Sequence, residues 1–212
     1  MRVPPLLILV ALLVVVISCC CSQVRSVLGV PALPFDIDTL VGQRFYDGEG
    51  GLASHVSIYY PFGVAVQPGT QDLFIVDSYN HVIRRVDSAT GTITTVAGTP
   101  EIGGYDGDDY LATEAFLNYP RTVTFSPDGR SMYIADTNNH RVRLVKDGII
   151  TTVAGTGVTG YGGDGVLATN APLNYPSDIA ILPSGDLLIS DTHNHRIRKV
   201  DHTSGFITTI AG

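Results

Sequence analysis

The chain has 212 residues, of which 44% are hydrophobic and 8% aromatic, with no tryptophan, 23 glycines and 12 prolines. Abundant glycine and proline among short apolar runs is typical of strands joined by tight turns, so the composition predicts an all-β fold. Thirteen Lys and Arg against 20 Asp and Glu give a net charge of -7, which disfavours nucleic acid as a partner because phosphate binding needs a basic surface.

Residues 1–22 are predicted to be a targeting segment, either a signal peptide or a signal anchor. Arg2 supplies a positive start, and residues 6–17 form an uncharged apolar run of the length of a signal-peptide core. All three cysteines lie at positions 19–21, so lipid attachment there is a further alternative. Each alternative predicts a secreted or extracytoplasmic protein that touches a membrane only through this segment.

After a linker at residues 23–38, residues 39–212 contain one unit copied three times. Ala97, Ala154 and Ala211 occupy equivalent places in the copies, each followed by glycine and 57 residues apart. The copies cover about 60–98, 119–155 and 175–212. Self-similarity at a fixed period is the signature of a repeat architecture.

Four apolar runs recur in each copy, separated by residues that favour turns. The first run alternates apolar and smaller residues at the strand period of two. The second is nearly all apolar, as is typical of a strand covered on both faces. The predicted strands lie at 63–66, 73–76 and 93–97, at 122–125, 132–135 and 150–154, and at 178–181, 187–190 and 207–211, with the remaining strand of each copy around Arg84, Arg143 and Arg198.

The most closely repeated motif, Asp-x-x-Asn-His, lies between the second and third runs. Asp and Asn side chains hydrogen-bond nearby backbone amides, so this motif predicts a structured hairpin turn in each copy. Its residues are Asp77, Asn80 and His81, then Asp136, Asn139 and His140, then Asp191, Asn194 and His195. We further predict that the three aspartates form ion pairs with Arg84, Arg143 and Arg198.

Four-stranded antiparallel units in tandem are typical of the blades of a β-propeller. The stretches DTNNHRVR from Asp136 and DTHNHRIR from Asp191 resemble the NHL repeat, although the first copy has Val82 where the others have arginine. The resemblance implies a propeller. It leaves function open, because NHL proteins include adhesive receptor ectodomains, RNA binders, bacterial kinase sensors and a metal-dependent lyase.

Three blades are expected to form an incomplete, open propeller, because closed rings have roughly 4 to 8 blades. The text at residues 39–42 resembles the last strand of a preceding unit. Two explanations stay open: the chain is a fragment of a longer propeller, or two copies form a homodimer that completes a six-bladed ring.

The acidic, glycine-rich connectors between copies are candidate Ca²⁺ ligands. Asp106, Asp108 and Asp109 cluster most tightly, and Ca²⁺ requires 6 to 8 oxygen ligands. The alternative is a structural role, as turns before short helical segments at 111–117 and 167–173. The repeated histidines are expected to be structural, because zinc needs about three ligands converging on one point. No other cofactor is predicted.

The leading functional hypothesis is a binding module whose propeller loops contact a protein or a glycan. The alternative is a metal-dependent propeller enzyme acting on lactones, esters or amidated peptides once six blades are complete. The innermost strands carry Asp178 as their one carboxylate, which favours binding over catalysis. RNA binding through Arg141, Arg143, Arg196 and Arg198 is a third hypothesis, opposed by the acidic connectors.

Overall fold

The computed structural model describes residue 46 and residues 48–212. The predicted targeting segment, the linker and the strand-like text at 39–42 lie outside the described residues. Within the described part, the chain forms fourteen strands in three antiparallel sheets and short 3₁₀ turns, without an α-helix. The predicted all-β class is therefore confirmed. Nowhere in this part is there a helix of sufficient length and apolarity to cross a membrane.

The first sheet has four strands, each hydrogen-bonded to the next in chain order. They are β1 (Pro61–Val66), β2 (Leu73–Asp77), β3 (Val82–Val86) and β4 (Ile93–Ala97). β2 and β3 are almost entirely buried, as their continuous apolar runs predict.

The second and third sheets repeat this arrangement and add a fifth strand. The second contains β5 (Tyr110–Leu111), β6 (Thr122–Phe125), β7 (Ser131–Asp136), β8 (Arg141–Lys146) and β9 (Ile149–Ala154), in the order β5-β9-β8-β7-β6. The third contains β10 (Val166–Leu167), β11 (Pro176–Ile181), β12 (Leu187–Asp191), β13 (Arg196–Val200) and β14 (Phe206–Ala211), in the same spatial order.

The connectors differ from the prediction of four strands followed by helical segments. Tyr110 and Leu111 pair with Ile150 and Ile149 as an extra outermost strand, and residues 166–167 pair with β14 in the same way. Only one 3₁₀ turn, Ala168–Asn170, lies in the two predicted helical stretches. The edge of β9 or β14 has backbone N–H and C=O groups that can pair with an extended chain. The connector pairs with these groups and so covers the edge.

Neighbouring sheets pack face to face around two apolar clusters. The first cluster joins the first and second sheets, with Phe74, Val76 and Ile83 on one side and Val123 and Ile134 on the other. The second joins the second and third sheets through the equivalent positions. The second sheet thus buries one face against the first sheet and the other against the third.

The first strands of the sheets lie side by side. A Cβ atom added to Gly63 in β1 would lie 2.7 Å from the carbonyl oxygen of Arg121, just before β6. Glycine at this position therefore lets two backbones approach closely.

Candidate functional site

The candidate site is the end of the sheets at which the first strand begins and the second ends, which we call the loop face. Pro61 at the start of β1 pairs with Asp77 at the end of β2, so both lie there. A one-turn 3₁₀ helix follows the second strand of each sheet, at Ser78–Asn80, Thr137–Asn139 and Thr192–Asn194. The repeated Asp-x-x-Asn-His motif therefore forms the loop face.

The aspartate of each motif organises the turn. Asp136 is fully buried, and its Oδ1 accepts a hydrogen bond from the backbone N–H of Asn118 at 2.8 Å. Its Oδ2 accepts one from Asn139 Nδ2, also at 2.8 Å. Asp77 and Asp191 accept the equivalent bonds. The motif holds the turn and ties it to the segment that enters its own sheet.

A buried arginine connects this turn to the connector. Arg143 is fully buried, with Nη1 3.3 Å from Asp136 Oδ2 and Nη2 2.9 Å from Asp108 Oδ1. Nη2 also donates to the carbonyl oxygen of Gly107 at 2.7 Å, and the ring of Tyr105 lies 5.0 Å from the guanidinium carbon. One cation therefore joins the turn, the third strand and the connector.

The third sheet repeats this network, and the first sheet repeats its contact with the connector. Arg198 lies 3.6 Å from Asp191 and 3.2 Å from Asp164, and Arg84 lies 3.4 Å from Glu49. The acid from the connector also accepts hydrogen bonds from the fourth strand, as Asp164 does from the backbone N–H of Thr209 at 2.9 Å. The recurrence indicates that these charges belong to the architecture of the repeat.

Burial governs the protonation of the central aspartate. Loss of water raises the pKa of Asp136 to about 6, although hydrogen bonds from Asn139 and Asn118 and the charge of Arg143 oppose the increase. Burial likewise raises the pKa of Asp77.

The motif histidines join adjacent sheets. His81 and His140 adopt left-handed backbone conformations, with φ of 61° and 54°. His81 Nδ1 accepts a hydrogen bond from the backbone N–H of Tyr119 at 3.1 Å, and His140 Nδ1 accepts one from Tyr175 at 3.2 Å. Burial lowers the pKa of both histidines, which favours the neutral, accepting form. His195, on the last sheet, is exposed.

The acidic connector residues contact protein donors. Asp106 accepts hydrogen bonds from the Tyr110 hydroxyl and from the backbone N–H of Phe116, while Asp108 bonds Arg143. Asp109 has φ of 68° and lies in the turn before β5. Across residues 46 and 48–212, no three His, Cys, Asp or Glu side chains are placed to hold a metal ion together.

Several loop-face residues vary between copies, and the sequence reasoning did not single them out. The central residue of the 3₁₀ turn is Tyr79, Asn138 or His193, and the residue near the start of the first strand is Phe62, Arg121 or Ser177. Alignment of the three copies shows these positions as differences within an otherwise repeated sequence.

An aromatic cluster lies at the first two sheets of the loop face. Tyr79 stacks on Tyr60 with ring centroids 4.5 Å apart and contacts Tyr59 and Tyr119 edge-on. Tyr60 is 60% exposed and Tyr79 37%. Phe62 is 55% exposed and lies 5.1 Å from the Arg121 guanidinium carbon. The face thus presents aromatic rings beside a cation.

The chain is similar to known proteins along most of its described length. Over 163 residues it is 29% identical to Protein SUPPRESSOR OF QUENCHING 1, chloroplastic, from Arabidopsis thaliana, covering 74% of this chain and 15% of that protein. Over 95 residues it is 33% identical to NHL repeat-containing protein 2 from Homo sapiens, covering 45% and 13%. The chain therefore spans only a small part of these curated relatives.

Among solved structures, the chain resembles an auxiliary nutrient binding protein from Bacteroides ovatus. The TM-score is 0.56 and the identity 29%, over 69% of this chain and 36% of that one. A family model described as NHL repeat matches residues 173–200, which include the Asp191 turn of the third sheet. The other two sheets carry the same turn, arginine and histidine. The third sheet therefore contains an NHL repeat, and the first two sheets repeat its motif.

Proposed function

We propose that this protein is an extracytoplasmic binding module that contacts a protein or glycan through its loop face. The observation that carries the proposal is that repeated positions contact one another inside the molecule, whereas variable positions are exposed. Repeated aspartates, asparagines and arginines bind one another inside the molecule, as Asp136, Asn139 and Arg143 do. Variable positions on the same turns, such as Tyr79 and His193, face solvent.

The surface chemistry of this face suits a macromolecular or saccharide ligand. Exposed aromatic side chains are enriched at binding surfaces because they bury a large area with few rotatable bonds. Tyr60, Tyr79 and Phe62 supply such rings, and Arg121, Asn138 and Ser177 supply polar groups on the other two sheets. The net charge of -7 opposes an RNA ligand.

The three sheets are proposed to be successive blades of an open propeller arc. Their antiparallel strand order, stacked faces and adjacent first strands agree with that architecture. The arc would belong either to a longer propeller or to a ring made from two copies.

The extracytoplasmic placement rests on the apolar run at residues 6–17. The Bacteroides ovatus protein is named as nutrient-binding, which is in line with a ligand-binding role for a related repeat array. Fractionation of cells that produce the full chain would test this part: recovery in the cytosol with an intact N-terminus would contradict it.

The binding hypothesis can be tested with two matched phenylalanine substitutions. Phe62 lies on the loop face and is 55% exposed, whereas Phe206 begins β14 on the outer side of the third sheet and is 46% exposed. The full chain would be screened against immobilised polysaccharides and extracellular proteins. We expect Phe62→Ala and Tyr79→Ala each to weaken binding to the retained ligand roughly tenfold or more, and Phe206→Ala to leave it unchanged.

Equal effects of the Phe62 and Phe206 substitutions would refute the loop face as the binding surface. Failure to bind any member of either panel would refute the proposed ligand classes. Unchanged circular dichroism and melting temperature in each variant would show that the comparison reports on binding and not on folding.

A further inference from the structure

A cleft opens between the first and second sheets, at the end opposite the loop face. The turns from β1 to β2 and from β6 to β7 form one side of it, and the turn from β8 to β9 lies on the other side. Its volume is about 480 Å³, within the roughly 300–1,000 Å³ that is typical of small-molecule sites. All of its lining residues lie between Gln67 and Gly148, so both of its walls belong to described sheets.

The floor of the cleft is apolar. Phe74 from β2 meets Phe125 from β6 edge to face, with ring centroids 4.7 Å apart, and Met132 and Val145 lie beside them. Phe74, Met132 and Val145 are more than nine-tenths buried, whereas Phe125 is only partly buried. The packing of the sheets therefore fixes the floor, and Phe125 offers apolar surface to a ligand.

The first sheet adds a polar pair that the repeat does not require. Asp72 is 2% exposed and lies 2.6 Å from Arg85, and both line the cleft. The second sheet has Ser131 and Leu144 at the equivalent places. Because the two charges of the pair neutralise each other, they give the cleft hydrogen-bonding groups without a net charge.

Two further charges lie on opposite sides of the cleft. Arg130 in the turn from β6 to β7 and Asp147 in the turn from β8 to β9 are exposed, and neither side chain forms an ion pair or a hydrogen bond within the described part of the chain. Asp128, in the same turn as Arg130, is held by the Ser126 hydroxyl and a backbone N–H. The two turns are two strand spacings apart in the sheet, about 10 Å.

We propose that this cleft binds short apolar peptides by both ends, with the ammonium group at Asp147 and the carboxylate at Arg130. An extended chain advances about 3.3–3.6 Å per residue, so the charged ends of a tripeptide are about 10 Å apart, as the two turns are. The apolar side chains of the peptide pack on Phe125 and the floor. A purely anionic or cationic ligand fits less well, because the cleft has one unpaired charge of each sign. The cleft is separate from the loop face, so its ligand is independent of the function proposed for that face.

Isothermal titration calorimetry tests the proposal with trileucine and with protein purified from cells that produce the full chain. Three matched ligands separate the contributions: trialanine keeps both charges and loses most apolar surface, N-acetyl-trileucine lacks the ammonium group, and trileucine amide lacks the carboxylate. We expect each of them to bind about fivefold or more weakly than trileucine. This comparison needs no variant, so it is unaffected by any change in folding.

Two substitutions assign the ends of the peptide. Asp147→Asn keeps a pair, Asn-Gly, that is favoured in a tight hairpin turn, and should weaken trileucine about fivefold without weakening N-acetyl-trileucine. Arg130→Glu should weaken trileucine at least as much, but trileucine amide less. The matched controls are Asp109→Asn, at another exposed aspartate with positive φ, and Arg121→Glu, at an exposed arginine on the loop face of the same sheet. Neither control should change peptide binding.

Several results would overturn the proposal. The first is the absence of measurable trileucine binding by the wild-type protein. The second is equal binding of trileucine and its two capped forms, because the terminal charges would then contribute nothing. Equal effects of the Arg130 and Arg121 substitutions, or of the Asp147 and Asp109 substitutions, would likewise show that the cleft is not the peptide site.

Discussion

Replacement of Arg143 by methionine should destabilise the repeats strongly. Methionine fills similar space but removes the cation from Asp136 and Asp108, and the carboxyl group of Asp136 then remains fully buried without its charged partner. Removing one member of a buried pair costs about 3–5 kcal/mol of the free energy of unfolding. For a domain of this size, about 2–4 °C of melting temperature corresponds to each kcal/mol, so we expect a decrease of roughly 6–20 °C.

The neighbouring strand position provides a matched control. Arg85 forms a shorter ion pair, 2.6 Å from Asp72, but its side chain is 38% exposed. The second copy has Leu144 at the equivalent place, so Arg85→Leu reproduces a residue that the repeat already accommodates. Asp72 is buried, but it keeps the hydrogen bond from the backbone N–H of Ser88 at 2.9 Å, and water reaches the Arg85 end of the pair, so the melting temperature should fall less than in Arg143→Met.

Thermal and urea unfolding of the full chain, followed by circular dichroism, would measure both variants. Arg143→Lys should be intermediate, because a single ammonium group cannot bridge both carboxylates and the carbonyl of Gly107 as a planar guanidinium does. If Arg143→Met cost less than about 1 kcal/mol, or no more than Arg85→Leu, the buried network would not be the element that stabilises the repeat.

Three further predictions concern protonation and backbone strain. Burial lowers the pKa of His81, so its stabilising hydrogen bond is present at pH values above the unfolded-state pKa near 6.5 and is lost on acidification. The difference in melting temperature between wild type and His81→Asn should therefore shrink from pH 7 to 5. The pKa of Asp136 is raised to about 6, so wild-type stability relative to Asp136→Asn should fall as pH rises through 6, measured by urea unfolding. Gly155→Ala should lower the melting temperature more than Gly148→Ala: both have positive φ, but only the first places Cβ against a backbone carbonyl, that of His140.

The four main strands of each repeat could be predicted because each carries its own signal. Leu73 to Val76 and Leu187 to Ser190 are apolar runs bounded by turn residues, and the structure places both in second strands. The extra strands β5 and β10 were missed because two residues contain no periodicity. They form because the edge of β9 or β14 has free hydrogen-bonding groups, a property of the assembled sheet.

The roles of the histidines show a second limit of sequence reasoning. Their place in a turn followed from the neighbouring Asp and Asn, and His140 does end a 3₁₀ turn. Its acceptor role depends on the backbone N–H of Tyr175, 35 residues later, which packing brings to the ring. No local pattern encodes that contact, although a Tyr-Pro pair recurs at residues 60–61, 119–120 and 175–176.

The network around the buried arginine also explains how one repeat can serve different ligands. Asp136, Arg143 and Asp108 fix the turn, the third strand and the connector relative to one another, so the backbone of the loop face is set by contacts inside the molecule. Tyr79 and His193 then occupy equivalent places on turns of nearly equal geometry, with different chemistry. Substitutions at such exposed positions usually change stability by less than about 0.5 kcal/mol. Under the proposed binding function, specificity can therefore change at these positions while the repeated motif stays intact.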